Sequence, residues 1–295
     1  MIKLLATDLD GTLFYPRRPI GLMIHKNKKF LRDFILAGGQ VIIITGRSIR
    51  TYRKVEQKLK RDVAFLGCSG SILMENDKVL ASHPIDRNAL MKLYMTTRSE
   101  FGIIGWLIYD DTDVIKIAPT NMGKALSIGA VIVNTAMGAY KEVYQISETK
   151  FVQTIAHHPV YKILPCFGIT PKSARKRAEL GEVAVKEMFG DSMQISLGSP
   201  FLEITGKGVT KASTLKEYLS LKGIRDDEVI VCGDSFNDLE VFEQFQNSFA
   251  MKSGEKTLKN KARGLINHVS DLRKIVLDED GKLRKEIGTE LDRKG

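Results

Sequence analysis

The chain has 295 residues, 43% hydrophobic and 27% charged, enough to bury one large core or two ordinary ones, which excludes a disordered tail and a minimal peptide-like scaffold. A formal net charge of +10 favours anionic partners, either phosphorylated small molecules or nucleic acid. Three cysteines without metal-ligand spacing read as free thiols of a reducing compartment, the run before Asp8 is too short for a signal peptide, and no apolar stretch reaches the roughly 20 residues of a membrane span, so a soluble cytoplasmic protein is expected.

In chain order, Ile2–Thr7 is an apolar run ending at Asp8. Phe30, Leu31, Phe34 and Ile35 recur at helical spacing over Lys26–Ala37, with Gly38-Gly39 as the stop. Val41–Ile44 predicts a second buried strand ending at Thr45, and Ser48 opens a basic helix to about Lys60. Val63–Leu66 is a third strand, and Ile72–Leu80 around Asn76-Asp77 a hairpin. Strands that are apolar throughout and alternate with helices predict an α/β parallel sheet covered on both faces. From 82 to 197 the rhythm changes. A helical stretch (Asp86–Glu100) precedes strand candidates Ile103–Tyr109 and Thr112–Ala118; Tyr161–Phe167, a helix Pro171–Phe189 and paired strands Met193–Leu197 and Phe201–Thr205 follow. Helices mixed with hairpins indicate an α+β module at 82–197, inserted into a core made of 1–81 and 198–295. The α/β rhythm returns with a helix through Ala212, Leu215 and Leu219 that Gly223 stops, a strand Val229–Cys232, an edge strand Ser248–Met251 and a last helix capped by Ser270. The tail beyond Asp278 is charged and reads as frayed.

Three separate apolar runs end in chemistry: Asp8, Thr45 and, after VIVCG, Asp234. Parallel strands of an open sheet bring their carboxyl ends to one edge, where ligands bind, so these residues should converge. Taken singly, each aspartate can also be read as a helix cap and Thr45 as a turn residue. Asp8 and Asp10 share one side of an extended segment, with Gly11 permitting the turn that follows. Together with Asp234 and Asp238 they put four carboxylates at one pole without His or Cys, a set suited to a hard oxygen-ligated ion, Mg²⁺. Thr45-Gly46 and Lys211, which follows the glycine-containing approach Gly206–Thr210, supply donors that a phosphoryl group needs opposite such a cluster. Lys211 alone has the ordinary reading of a solvated surface lysine.

These residues are similar to those of the haloacid dehalogenase (HAD) superfamily, specifically its Cof-type phosphatase branch with a type-C2 cap. DLDGTL (Asp8–Leu13), ITGR (Ile44–Arg47), Lys211 in GVTKASTL and GDSFND (Gly233–Asp238) stand in the order of that family's four motifs. The pairing of the first with the last is the specific signal. The resemblance implies a Rossmann-like parallel-sheet core with the 82–197 module as its cap. It implies Asp8 as the nucleophile that forms an aspartyl-phosphate and Asp10 as acid and then base, with its backbone carbonyl on Mg²⁺. It implies Thr45, the Gly46 amide and Lys211 as phosphoryl ligands, Asn237 as support for phosphate or water, and Asp234 as a metal ligand with Asp8. Asp238 would orient Lys211 or a metal-bound water. Ser69-Gly70-Ser71 and Lys252-Ser253-Gly254 depart from the branch's usual Asn-Gly-Ala and Gly-Asn-Ala segments beside the site.

The expected activity is Mg²⁺-dependent hydrolysis of small phosphorylated metabolites, a sugar phosphate or nucleotide-like phosphomonoester. A phosphomutase or phosphotransferase of the same superfamily is the alternative within enzymes. Outside them stands a non-catalytic phosphate- or nucleic-acid-binding protein. The basic runs Arg47–Arg61, Lys172–Arg177 and Lys252–Arg263 lack interleaved aromatics and read as solvated helix faces, so no nucleic-acid partner is expected. His157-His158 read as surface histidines, Trp106 as module core, and Cys232 as buried packing.

Overall fold

The structure, a computed structural model, describes residues 1–14, 23–98, 100–112, 114–120, 123, 143–168, 171–198 and 201–287. Its strands are β1 (Leu4–Thr7), β2 (Gln40–Ile44), β3 (Ala64–Gly67), β4 (Ile72–Glu75), β5 (Lys78–Ser82), β6 (Gly105–Asp110), β7 (Val114–Pro119), β8 (Val143–Ile146), β9 (Val160–Cys166), β10 (Met193–Gly198), β11 (Phe201–Gly206), β12 (Val229–Gly233), β13 (Ser248–Met251) and β14 (Gly264–Ile266). Its helices are α1 (His25–Leu36), α2 (Arg50–Leu59), α3 (Arg87–Thr97), α4 (Glu148–His157), α5 (Pro171–Phe189), α6 (Lys211–Lys222), α7 (Leu239–Gln244), α8 (Lys256–Lys261) and α9 (Arg273–Val276). Among the described residues no helix is long and apolar enough to cross a membrane.

The chain divides into two compact units, one of Met1–Gly46, Thr51–Ala81 and Lys211–Gly295, the other of Arg47–Arg50 and Ser82–Thr210. The first is an α/β unit around an eight-stranded sheet in the order β14-β13-β12-β1-β2-β3-β4-β5. From β14 through β3 every pairing is parallel, and β4 returns antiparallel to β3. Leu4, Ala6, Ile42, Ile44, Val229 and Val231 pack with Leu215, Leu219 and Phe245 into one cluster, which is why these strands carry no polar face. β1 lies between β2 and β12, in register Thr7↔Ile43 and Thr7↔Cys232. The chain therefore reverses its direction of winding at β1, and the carboxyl ends of β1, β2 and β12 lie side by side, as in a Rossmann-like sheet.

The second unit is a six-stranded sheet in the order β10-β11-β9-β6-β7-β8. Leu90, Leu93, Trp106, Ile108, Phe151, Ile155, Ile163, Val185 and Ile204 form its core. Trp106 is buried there, edge-on to Tyr94 with ring centroids 5.7 Å apart, as expected of a core residue. Asp86 caps α3, accepting the Ala89 amide at 2.8 Å.

Four details differ from the sequence reading. The second unit runs to Thr210, not 197, because β11 pairs with both β10 and β9 and so belongs to the second sheet. β13 is not an edge strand, since the three-residue β14 pairs outside it. Ser270 does not cap the last helix. It sits inside a turn over Val269–Leu272 and donates its backbone N–H to Asn27 Oδ1 at 3.0 Å. The tail is tied back as far as Arg284, whose amide donates to Val276 O at 2.9 Å.

Candidate active site

Each candidate side chain is placed by the end of an element of the first unit. Asp8 follows β1 directly, and its amide donates to Cys232 O on β12 at 2.9 Å. Its side chain makes no helix-capping bond, which removes the reading of Asp8 as a cap. Leu9–Leu13 then forms a tight turn in which Gly11 has φ +86°. A Cβ at Gly11 would lie 2.3 Å from Asp234 Oδ2, so glycine is required both by conformation and by the approach of that carboxylate. Asp10 is half-buried within the same turn. Thr45 is buried just beyond β2, its amide on Leu66 O at 2.8 Å and its carbonyl accepting from the Ser69 amide at 3.1 Å; Gly46 follows it.

Lys211 opens α6 and is only 3% exposed, so it is not a solvated surface lysine. Its Nζ donates to Asp8 Oδ1 at 2.8 Å, to Asp238 Oδ1 at 2.7 Å and to Asn237 Oδ1 at 3.2 Å. Asp238 also accepts the amides of Asp234 and Ser235 on its other oxygen, at 3.1 and 3.3 Å. One carboxylate thus holds both the turn after β12 and the lysine. Gly233 makes room for it, because a Cβ there would meet Asp238 Oδ2 at 2.5 Å. Asn237 Oδ1 is shared between Lys211 and the Ser235 hydroxyl, the latter at 2.8 Å.

Asp8, Asp234 and Asp238 bring carboxylate oxygens within 4.8 Å of one another, all buried; Asp10 is not in that trio. Burial raises the Asp8 carboxyl well above the ordinary carboxylate range, the Lys211 ammonium opposes the rise, and Asp238 and Asp234 add to it. Burial likewise disfavours the Lys211 ammonium, but Asp238 and Asp8 outweigh it and hold that pKa above its usual value, so the lysine stays charged. Among the described residues, three buried carboxyl groups crowd around the Lys211 ammonium, and ionising all three in a low-dielectric site is costly without a further cation. An all-oxygen donor set of that charge fits a hard divalent cation. A second group, Asp110, Asp111 and His158, lies in the second unit with Asp111 and His158 exposed. Asp110 is already taken by Thr112 and by the Lys116 ammonium, and His158 by Asp111 at 3.1 Å. Cys232 is fully buried, and burial with the Asp238 charge pushes its thiol up, which leaves it inert as a nucleophile.

Three contributors escaped the sequence reading. The buried Thr12 hydroxyl donates to Asp234 Oδ1 at 2.9 Å; it stood inside the first motif but carried no visible partner. The Glu255 amide donates to Asp234 O at 2.8 Å. A Cβ on Gly254 would fall 2.7 Å from that same carbonyl oxygen, so Gly254 lets the segment after β13 press against the Asp234 backbone. The only advance signal was the departure at Lys252-Ser253-Gly254.

Residues 5–273 match the family described as haloacid dehalogenase-like hydrolase. The chain is 23% identical over 262 residues to a 5-amino-6-(5-phospho-D-ribitylamino)uracil phosphatase of Bacillus subtilis, covering 88% of each chain. It is 23% identical over 266 residues to a pyridoxal phosphate phosphatase of Escherichia coli, covering 90% of this chain and 93% of that one. Among solved structures, a haloacid dehalogenase-like hydrolase from B. subtilis superposes with a TM-score of 0.77 at 18% identity, over 94% of this chain and 100% of that one. Another from Bacteroides thetaiotaomicron gives 0.74 at 20% identity, over 92% and 98%.

Proposed function

The chain belongs to the haloacid dehalogenase-like hydrolase family, and from that premise we propose that it is a Mg²⁺-dependent phosphatase of small phosphorylated metabolites in the cytoplasm. The observation that carries this reading is Lys211, buried and bonded at once to Asp8 and Asp238, at the strand ends where Asp234 and Thr45 also lie. Its support among relatives is that two of them are named for dephosphorylating small molecules.

In the proposed reaction a carboxylate oxygen of Asp8 attacks phosphorus, the ester P–O bond breaks, and Asp10 gives its proton to the departing alkoxide. Asp10 then takes a proton from water, whose oxygen attacks the aspartyl-phosphate and releases inorganic phosphate and free Asp8. Lys211, the Thr45 hydroxyl and the Gly46 amide would bind the non-bridging oxygens as charge builds on them. Asp8, Asp234 and the Asp10 carbonyl would hold Mg²⁺. The ion would screen the Asp8 carboxylate from the phosphate dianion. Asp238 and Asn237 would fix the position of Lys211. We assign discrimination among leaving groups to the inserted unit rather than to the catalytic one.

Phosphate release from a panel of phosphorylated metabolites, with and without Mg²⁺, tests the reading. Turnover that needs Mg²⁺ and disappears in Asp8→Asn is expected. Undiminished turnover in that variant, or transfer between sugar positions with no free phosphate, would refute it.

A further inference from the structure

The second unit carries a surface that phosphate chemistry does not use. α5 lies along the β10–β11 margin of the second sheet and buries Ala174, Ala178, Val185 and Phe189. Its opposite face is open: Leu180 is 63% and Val183 68% exposed. Isolated exposed apolar residues are ordinary; here the spacing is the informative feature. Lys176, Leu180, Val183 and Glu187 recur at intervals of four, three and four, and all four are exposed. That repeat keeps one seam in line along a helix that meets another helix. Met188, also exposed, broadens it.

The two ends of the seam are oppositely charged, Lys176 toward the amino end and Glu187 toward the carboxyl end. Their neighbours pair along the helix, Arg175 with Glu179 at 3.0 Å and Lys186 with Glu182 at 2.8 Å. Lys176 and Glu187 pair with no other described residue. A face with a positive end, an apolar middle and a negative end is complementary to itself when one copy is reversed.

We propose that this face binds a second copy of the chain, α5 packing antiparallel on α5 about a two-fold axis between Gly181 and Glu182. That axis sets Leu180 against the partner subunit's Val183 and Lys176 against the partner subunit's Glu187, and symmetry makes each contact twice. A parallel pairing would instead set lysine beside lysine and glutamate beside glutamate, with the helix dipoles aligned unfavourably. One helix pair falls below the standard interface of about 1,600 Å², so the dimer is reversible and concentration-dependent.

Sedimentation velocity across the micromolar range, on the full-length protein, tests this. The wild type should move from monomer to dimer with concentration, and Leu180→Glu should remain monomeric with its helical signal and phosphate release unchanged. Lys176→Glu and Glu187→Lys should each weaken the dimer about tenfold, through an attraction turned to repulsion at two symmetric places. The double variant should recover to within about threefold of wild type. A monomer at every concentration, a dimer indifferent to Leu180→Glu, or a double variant as weak as the singles would overturn the proposal.

Discussion

Thr12 and Asp234 are far apart in sequence and joined by one hydrogen bond of 2.9 Å. Thr12→Val keeps the shape and removes the donor, and the loss of about 1 kcal/mol at Asp234 should raise the Mg²⁺ concentration for half-activity about fivefold; a metal titration of initial rates checks it. Lys211→Met removes the ammonium bonded to both Asp8 and Asp238 and should lower kcat on the order of 10²–10³-fold. Lys211→Arg should not restore it, because a planar guanidinium cannot reproduce three bonds converging on one nitrogen. The placement of Asp8, Thr45 and Asp234 at strand ends and of Lys211 at a helix start was legible in the sequence, since a polar residue ending an all-apolar strand, or opening a helix after glycines, announces itself locally. Thr12, Gly254 and Glu255 were not. Their importance lies in what they touch, and the chain shows no partner until the sheet has formed.

At the level of elements, the turn after β1 is the tightest constraint. Gly11→Ala forces a side chain into left-handed backbone and against Asp234, and a cost of about 2 kcal/mol should lower Tm by roughly 4–8 °C, measured by thermal denaturation. β12 is anchored at its other end by Glu228, whose carboxylate accepts the Arg225 amide at 3.1 Å and pairs with Lys3 at 2.9 Å. These contacts, the amide bond first, hold the Glu228 carboxyl below its usual pKa. Its stabilisation is therefore complete above the ordinary glutamate value of about 4.3 and is lost as pH falls through the lower folded value. Glu228→Gln should melt a few degrees below wild type at neutral pH, and the gap should close in acid. Helices α1, α5 and α6 and strands β1, β2 and β12 could be read from periodicity and from glycine or charge at their ends. β14 could not, because three residues carry no period. Ser270 does not take the expected cap position because a turn over Val269–Leu272 intervenes and leaves Leu272 at the start of the last helix, while Asn27, from a distant part of the chain, accepts the Ser270 amide.

For the whole molecule, a cation held by residues from both ends of the sequence should stabilise the first unit by mass action. Mg²⁺ at a hundredfold excess over its Kd should raise Tm by about 5 °C, and Asp234→Asn should abolish the shift. The two-unit organisation was visible as a change of rhythm near residue 82, but the return point was not. The pairing of Phe201–Thr205 with Met193–Leu197 can be read from the sequence, but a boundary at 197 cuts between them, and the further pairing of β11 with β9 is what fixes it in the second sheet. The same nonlocality governs biogenesis. β1, at the middle of the first sheet, lies beside β12, which the ribosome makes more than two hundred residues later. At roughly 5–20 residues per second, the nascent first strand waits on the order of 10–40 s for its neighbour, with one backbone edge open to chaperones or to misassembly throughout.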